Sequence, residues 1–349
     1  MIKVQNLSKR YGNHVAVKNV SFSISEGEIV GFLGPNGAGK STIMNILTGY
    51  LSLTEGTVTV GGYDVLEHPE QAKKRIGYLP EQPPLYPDMT VREYLNFIYD
   101  LKSVKFPKRP HIDEICKLVH ITNVENRLIK NLSKGYRQRV GIAQALVGNP
   151  EVLILDEPTV GLDPKQIIEI RKLIAGLGKH HTIILSSHIL SEIQAVCKRI
   201  LIINEGSIVA DDTAVNLSHN LSEDHSLVLR AQGPEAEIMK LLGTIKGVRG
   251  IRSLGSIENG SCDFEIEPEA GSDIRRDIFN RMSDRKWPIL ELRTRELSLE
   301  QIFLRLTDST FGMPTGQTFD KSKREKTDRE LNETEKSAVL EAVYGEEEQ

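Results

Sequence analysis

The sequence has no long hydrophobic run. Its longest apolar stretches, such as Ile29-Val30-Gly31-Phe32-Leu33 and Val152-Leu153-Ile154-Leu155, fall far short of the roughly 18 residues needed to cross a bilayer. The first thirteen residues carry no apolar segment behind their lysine and arginine, so no secretory signal is read and a cytoplasmic protein is expected. Cysteine is scarce. Cys116, Cys197 and Cys262 are far apart, odd in number and without a C-x-x-C or paired histidines, which argues against a disulfide framework or a zinc site and for buried reduced thiols. A surplus of basic charge is also missing: 44 Lys and Arg face 48 Asp and Glu, for a net charge of −4. No nucleic-acid partner is expected from such a balance.

What is present suffices for more than one core. With 349 residues, 39% of them hydrophobic and 26% charged, the chain exceeds one compact unit and is not disordered in bulk. Residues 1–217 alternate short apolar runs, helical stretches and glycine turns, the pattern of an α/β domain with a mostly parallel sheet. The runs 29–33, 76–79, 152–156, 182–186 and 199–204 are apolar enough to be central strands. Shorter alternating runs at 2–4, 20–23, 57–60 and 207–210 suit an antiparallel layer or an edge. A polar linker is read at 218–224. Residues 225–311 then predict a small α+β domain, βαββαβ plus one helix, of ferredoxin-like type; the turn at Asn259-Gly260 and a capping box from Ser298 to Gln301 support it. Residues 312–349 read as a charged flexible tail, with a short helix conceivable near 334–343.

The strongest chemical signal is Gly34-Pro35-Asn36-Gly37-Ala38-Gly39-Lys40-Ser41-Thr42, a complete G-x-x-x-x-G-K-[ST] phosphate loop between an apolar strand and a helix. Backbone N–H groups and the positive helix end converge there on one anion, so ATP is the expected ligand. Lys40 suits the β- and γ-phosphates, the Ser41 hydroxyl a Mg²⁺ ion and Thr42 a phosphate oxygen. A second half-site stands at the end of the buried run 152–155, where Asp156 and Glu157 follow. Strand alternation points the two carboxylates opposite ways, so Asp156 is assigned to Mg²⁺ and Glu157 to the attacking water as general base.

Between these halves lies Leu132-Ser133-Lys134-Gly135-Tyr136-Arg137-Gln138-Arg139, and here the chain resembles the ATP-binding cassette (ABC) family. Lys134 and Tyr136 replace a glycine and the glutamine of the usual L-S-G-G-Q. The order of Tyr11, Gln82, this signature, Asp156-Glu157, Gly161-Leu162-Asp163 and His188 matches the family as well. The resemblance implies a P-loop domain with an antiparallel layer and a helical subdomain. It implies that Tyr11 stacks on adenine, Gln82 touches Mg²⁺, Asp163 communicates across a dimer and His188 contacts the γ-phosphate. Ser133 also caps a second helix start suited to a phosphate, one that serves best against a nucleotide held by another copy. Ser133 and Gly135 are accordingly expected to complete a head-to-tail dimer, where Lys134 adds positive charge with either sign of effect on closure.

The resemblance further implies a separate integral membrane permease, docked on the proline-flanked segment from Gln82 to Leu95, with the cassette on the inner face of the membrane. The signature and the ending Leu299 to Thr307 are similar to those of multidrug and gliding-motility exporter cassettes, so an exporter ATPase is expected. The alternative is a soluble, non-transport cassette acting on a machine such as the ribosome; only one set of motifs is present, where such proteins carry two.

Overall fold

In the computed structural model, residues 1–220, 226–256, 258, 260–269, 271–294 and 299–307 are described. A long antiparallel pair, β1 (Ile2–Tyr11) and β2 (His14–Ile24), precedes β3 (Ile29–Leu33), the phosphate loop and α1 (Lys40–Leu47). Strands β4 (Glu55–Val60) and β5 (Tyr63–Asp64), helix α2 (Pro69–Lys74) and β6 (Ile76–Leu79) lead into α3 (Val91–Leu101), α4 (Lys108–Leu118) and α5 (Lys134–Leu146). The chain then runs β7 (Val152–Asp156), α6 (Pro164–Leu177), β8 (Thr182–Ser187), α7 (Leu190–Gln194), β9 (Arg199–Asn204), β10 (Ser207–Thr213) and α8 (Ala214–Asn220). Beyond it come β11 (Leu227–Gln232), α9 (Glu235–Leu242), β12 (Val248–Gly255), β13 (Ser261–Pro268), α10 (Arg275–Asp284), β14 (Ile289–Thr294) and α11 (Leu299–Thr307).

The central sheet has the order β10-β9-β3-β8-β7-β6, parallel except for β10 at its edge. The middle of its inner strands β3, β7, β8 and β9 is apolar because both faces are covered. Val30, Phe32, Ile154, Ile184, Leu201 and Ile203 face a core shared with α1 and the antiparallel sheet β2-β1-β4-β5. Their neighbours Leu33, Leu153, Leu155, Ile183, Leu185, Ile200 and Ile202 face a second core under α3 to α6. Alternation at period two therefore loads both faces of one sheet. The expected strands are all present, with β1 and β2 longer than the runs that suggested them.

The helical part from α3 to α5 is tied down by charge as well as by packing. Thr90 and Glu93 form the capping box of α3. Arg139 of α5 is buried, donates to Val119 O at 3.0 Å and pairs with Glu169 of α6 at 2.6 Å. Lys102, at the end of α3, donates from Nζ to Val147 O at 2.9 Å, at the end of α5, and to Gln144 O at 3.4 Å, which also accepts from Val147 N at 3.3 Å.

The second unit carries an antiparallel sheet of order β12-β13-β11-β14, the ferredoxin-like arrangement of a βαββαβ chain. Leu227, Leu229 and Ala231 of β11 face α9 and α10 through Ile238, Leu242, Ile278 and Met282. Arg230, pointing the other way, grips Asp263 of β13 with two bonds of 2.8 and 3.0 Å. Two boundaries differ from the expected ones. Helix α8 continues through 218–220, because Leu217 joins the cassette core and holds the helix there. Helix α11, grouped by sequence with the second unit, packs Ile302 and Leu306 into that same cassette core. The side chain of Asn204 donates to its terminal carbonyls, Leu306 O and Thr307 O, at 3.4 Å each. Residues 221–224 of the expected linker, Asn259, Ser298 and the whole of 312–349, including the conceivable helix, lie outside the described residues.

Burial pulls the Lys102 ammonium down to about 8. An unfolded chain holds that proton to about 10.4, so between these values it binds more protons than the folded chain and stability rises with pH. The melting temperature of the protein, relative to that of a Lys102→Met variant, is expected to climb between about pH 8 and pH 10 and to stay level below about pH 8.

Candidate active site

The carboxyl edge of the central sheet gathers the chemistry, where the phosphate loop joins β3 to α1. Gly39 sits at φ +104° and caps α1 without any side-chain bond, so the first N–H groups of that helix have no side-chain cap. Its conformation is open to glycine alone: a Cβ there would also lie 2.8 Å from Ala16 O on β2. A Cβ at Gly34 would collide with Ile203 O of β9. The loop is braced from below by the β9–β10 turn, where Gly206 N donates to Ala38 O at 3.0 Å while Gly206 O accepts from Lys18 N at 2.7 Å. Lys40 is buried, and its Nζ donates back to Gly34 O at 2.8 Å and Pro35 O at 3.3 Å.

Asp156 is the last residue of β7 and is 2% exposed; its carboxylate accepts from the Ser186 hydroxyl on β8. The same hydroxyl accepts from Glu157 N at 2.9 Å. Glu157 does point away from its neighbour's role, but strand alternation is not the cause. It lies past the strand end at φ +48°, a left-handed conformation that costs energy for a side chain of this size. That turn brings its buried carboxylate 3.7 Å from Lys40 Nζ and 3.0 Å from His188 Nδ1. Since a carboxylate only accepts, the Nδ1 of His188 is the donor in that bond.

Ser133 caps α5, its hydroxyl accepting from Tyr136 N at 3.4 Å. Lys134 lays its ammonium against Gly161, where a Cβ would collide with it, and the Gln166 side chain covers Gly135. Asp163 caps α6, accepting from Gln166 N at 2.9 Å. Tyr136 is held by Asn123 Nδ2, which donates to its hydroxyl at 3.0 Å. The structure thus forms two groups, one around Lys40, Asp156, Glu157 and His188, the other around 133–136 and 161–166. Among the described residues, no hydrogen bond or ion pair joins Ser133, Lys134 or Gly135 to the first group. Tyr11 ends β1, half exposed, with Lys9 Nζ 5.1 Å from its ring centre, and Gln82 follows β6 on the surface. Ser41, Gln82 and Asp156 offer a hydroxyl, an amide oxygen and a carboxylate, the hard oxygen donors that suit Mg²⁺. No group of three or more His, Cys, Asp or Glu able to hold a metal occurs among the described residues, so such an ion would draw its remaining ligands from nucleotide and water.

Sequence reading missed the hydroxyls of Ser186, Ser187 and Thr159 and the buried carboxylate of Glu192. The polar pair ending an otherwise apolar β8 was a usable signal for the two serines. Glu192 gave none, as it enters from a separate helix.

Parallel strands that deliver a glycine-rich loop, an acidic strand end and a histidine to one edge make this a P-loop nucleotide hydrolase by fold. Residues 17–160 match the ABC transporter family. The chain is 32% identical to the linearmycin resistance ATP-binding protein LnrL of Bacillus subtilis, across 89% of this chain and 99% of that one. It is 39% identical to the bacitracin transport ATP-binding protein BcrA of Bacillus licheniformis, across 60% of this chain and 69% of the relative. Among solved structures, the dimeric bacterial ABC transporter cassette MJ0796 superimposes with a TM-score of 0.57 at 30% identity, covering 61% of this chain and 98% of that one. The chain belongs to the ABC transporter family as an ATP-binding subunit, and it is an ATPase.

Gly39→Ala places a Cβ in a strained backbone conformation and against Ala16 O. It is expected to weaken ATP binding about 10-fold or more, as read by nucleotide titration. Unchanged affinity would mean that the loop adjusts without cost.

Proposed function

We propose that this chain drives an exporter by hydrolysing ATP between two copies of itself. The observation that carries the chemistry is the Glu157 carboxylate, buried and held between Lys40 Nζ at 3.7 Å and His188 Nδ1 at 3.0 Å. Lys40 takes the β- and γ-phosphate oxygens in place of the loop carbonyls it now holds. Glu157 accepts a proton from a water as that water's oxygen bonds to the γ-phosphorus. The bond to the bridging oxygen breaks, releasing ADP and phosphate. His188 orients that water and the γ-phosphate. Mg²⁺, when bound, would supply charge neutralisation at the phosphates, and Ser41, Gln82 and Asp156 are the residues that would hold it.

The separation of the Ser133 group from the Lys40 group supports a site completed by a second copy, with Ser133 and Gly135 against the nucleotide of the first. A dimeric relative agrees with this. No helix among the described residues is long and apolar enough to cross a membrane, so the transport path would belong to a permease. Tyr86, within the segment proposed to receive it, and Phe97, two residues past that segment, are exposed and stacked edge to face at 5.5 Å as an aromatic patch. Relatives named for linearmycin resistance, bacitracin transport and lantibiotic transport favour export.

Glu157→Gln is expected to bind ATP, to dimerise stably and to lose about 10²-fold of its turnover in a phosphate-release assay. Normal turnover would place the base elsewhere. Lys40→Ala should weaken ATP binding itself, whereas Ser133→Arg should leave monomer binding intact and abolish the ATP-dependent dimer on size exclusion. Equal loss of ATP affinity in both variants would contradict a shared site.

A further inference from the structure

Glu192 has no part in the chemistry proposed above, yet it is buried among the cassette's elements. It lies on α7, four residues past His188, and is 4% exposed. Its carboxylate accepts from the hydroxyl of Thr159 and, at 3.0 Å, from the hydroxyl of Ser187. Both donors are themselves buried. Ser187 Oγ also accepts from Ile189 N at 3.0 Å, so the residues on both sides of His188 are bound into this group. Thr159 belongs to the turn that begins at Glu157, where Val160 N donates to Glu157 O at 3.2 Å.

The position of this carboxylate matters because the β7–β8 ladder stops short of the site. Its last backbone pair is Asp156 with Ser186, and both Glu157 and His188 lie beyond it. On the strand side, Ser186 joins the two turns through Asp156 and Glu157 N. On the far side, besides the His188–Glu157 contact itself, the link runs through Glu192. Packing by itself would be served at lower cost by an apolar side chain, since an ionised carboxylate is expensive to bury without strong partners. Two hydroxyls from two different turns are such partners.

We infer that Glu192 is a positioning residue: it clamps the Glu157 turn to the His188 turn and so sets the contact between these two groups. The inference rests on the proposed roles of Glu157 and His188. A slip of about 1 Å between base and partner is enough to slow a reaction by orders of magnitude, while the phosphate loop, held by separate contacts, is untouched.

The test is steady-state ATP hydrolysis by the full-length protein over a range of ATP concentrations, with melting curves to confirm folding. Glu192→Ala is expected to lower kcat about 10-fold with KM for ATP within about 2-fold, and to cost no more than about 2-fold further when His188→Ala is already present. Thr159→Val, which removes only the hydroxyl donor, should lower kcat about 3-fold, and Thr159→Ser should restore it. A folded Glu192→Ala protein with parental kcat, or losses that multiply with those of His188→Ala, would overturn the inference. If Glu192→Ala does not fold, parental turnover in Thr159→Val overturns it instead. Glu157→Gln, measured alongside, separates the two claims. Its loss of turnover beside a parental Glu192→Ala sinks the clamp alone, whereas its normal turnover sinks the assignment of the base.

Discussion

The site depends on keeping one buried cation and one buried anion within reach of each other without letting them close into a permanent pair. Lys40 and Glu157 are both nearly removed from solvent, and each would be costly to bury alone. Their charged atoms stand 3.7 Å apart, while Lys40 donates to two loop carbonyls and Glu157 meets His188. In the proposed reaction a phosphate and a water take the place of these partners. The left-handed turn at Glu157 is what makes this spacing possible, because a continued strand would carry the side chain elsewhere.

That local arrangement needs a rigid frame, and the two-faced central sheet provides it. β3, β7, β8 and β9 contribute the loop, the acids, the histidine and the brace beneath the loop, and their side chains alternate between two separate cores. A strand buried on both faces cannot slip by one residue without moving its whole apolar set. The register that aligns Asp156 with Ser186 is thus protected by packing far from the chemistry.

The C-terminal helix is joined to this frame at a telling place. The β9–β10 turn that bonds Ala38 of the phosphate loop through Gly206 also holds the end of α11 through Asn204. The last described helix returns to the cassette after the ferredoxin-like unit, and its two core residues make it part of the same packed body. Sequence could not assign it, because an amphipathic helix does not say which core receives its apolar face.

The residues themselves disclosed a good deal. The phosphate loop, the acidic strand end and the succession of strands and helices along the chain follow from local patterns of glycine, charge and apolar periodicity, which act over a few residues and are therefore visible in one dimension, and the signature was legible by resemblance. Tertiary structure alone decided how Glu157 is aimed, that Lys134 lies against Gly161, which core takes α11, and that Glu192 joins two turns. Each of these depends on a backbone conformation or on a contact between distant segments. Such contacts arise only when the chain closes on itself, so no local spacing encodes them.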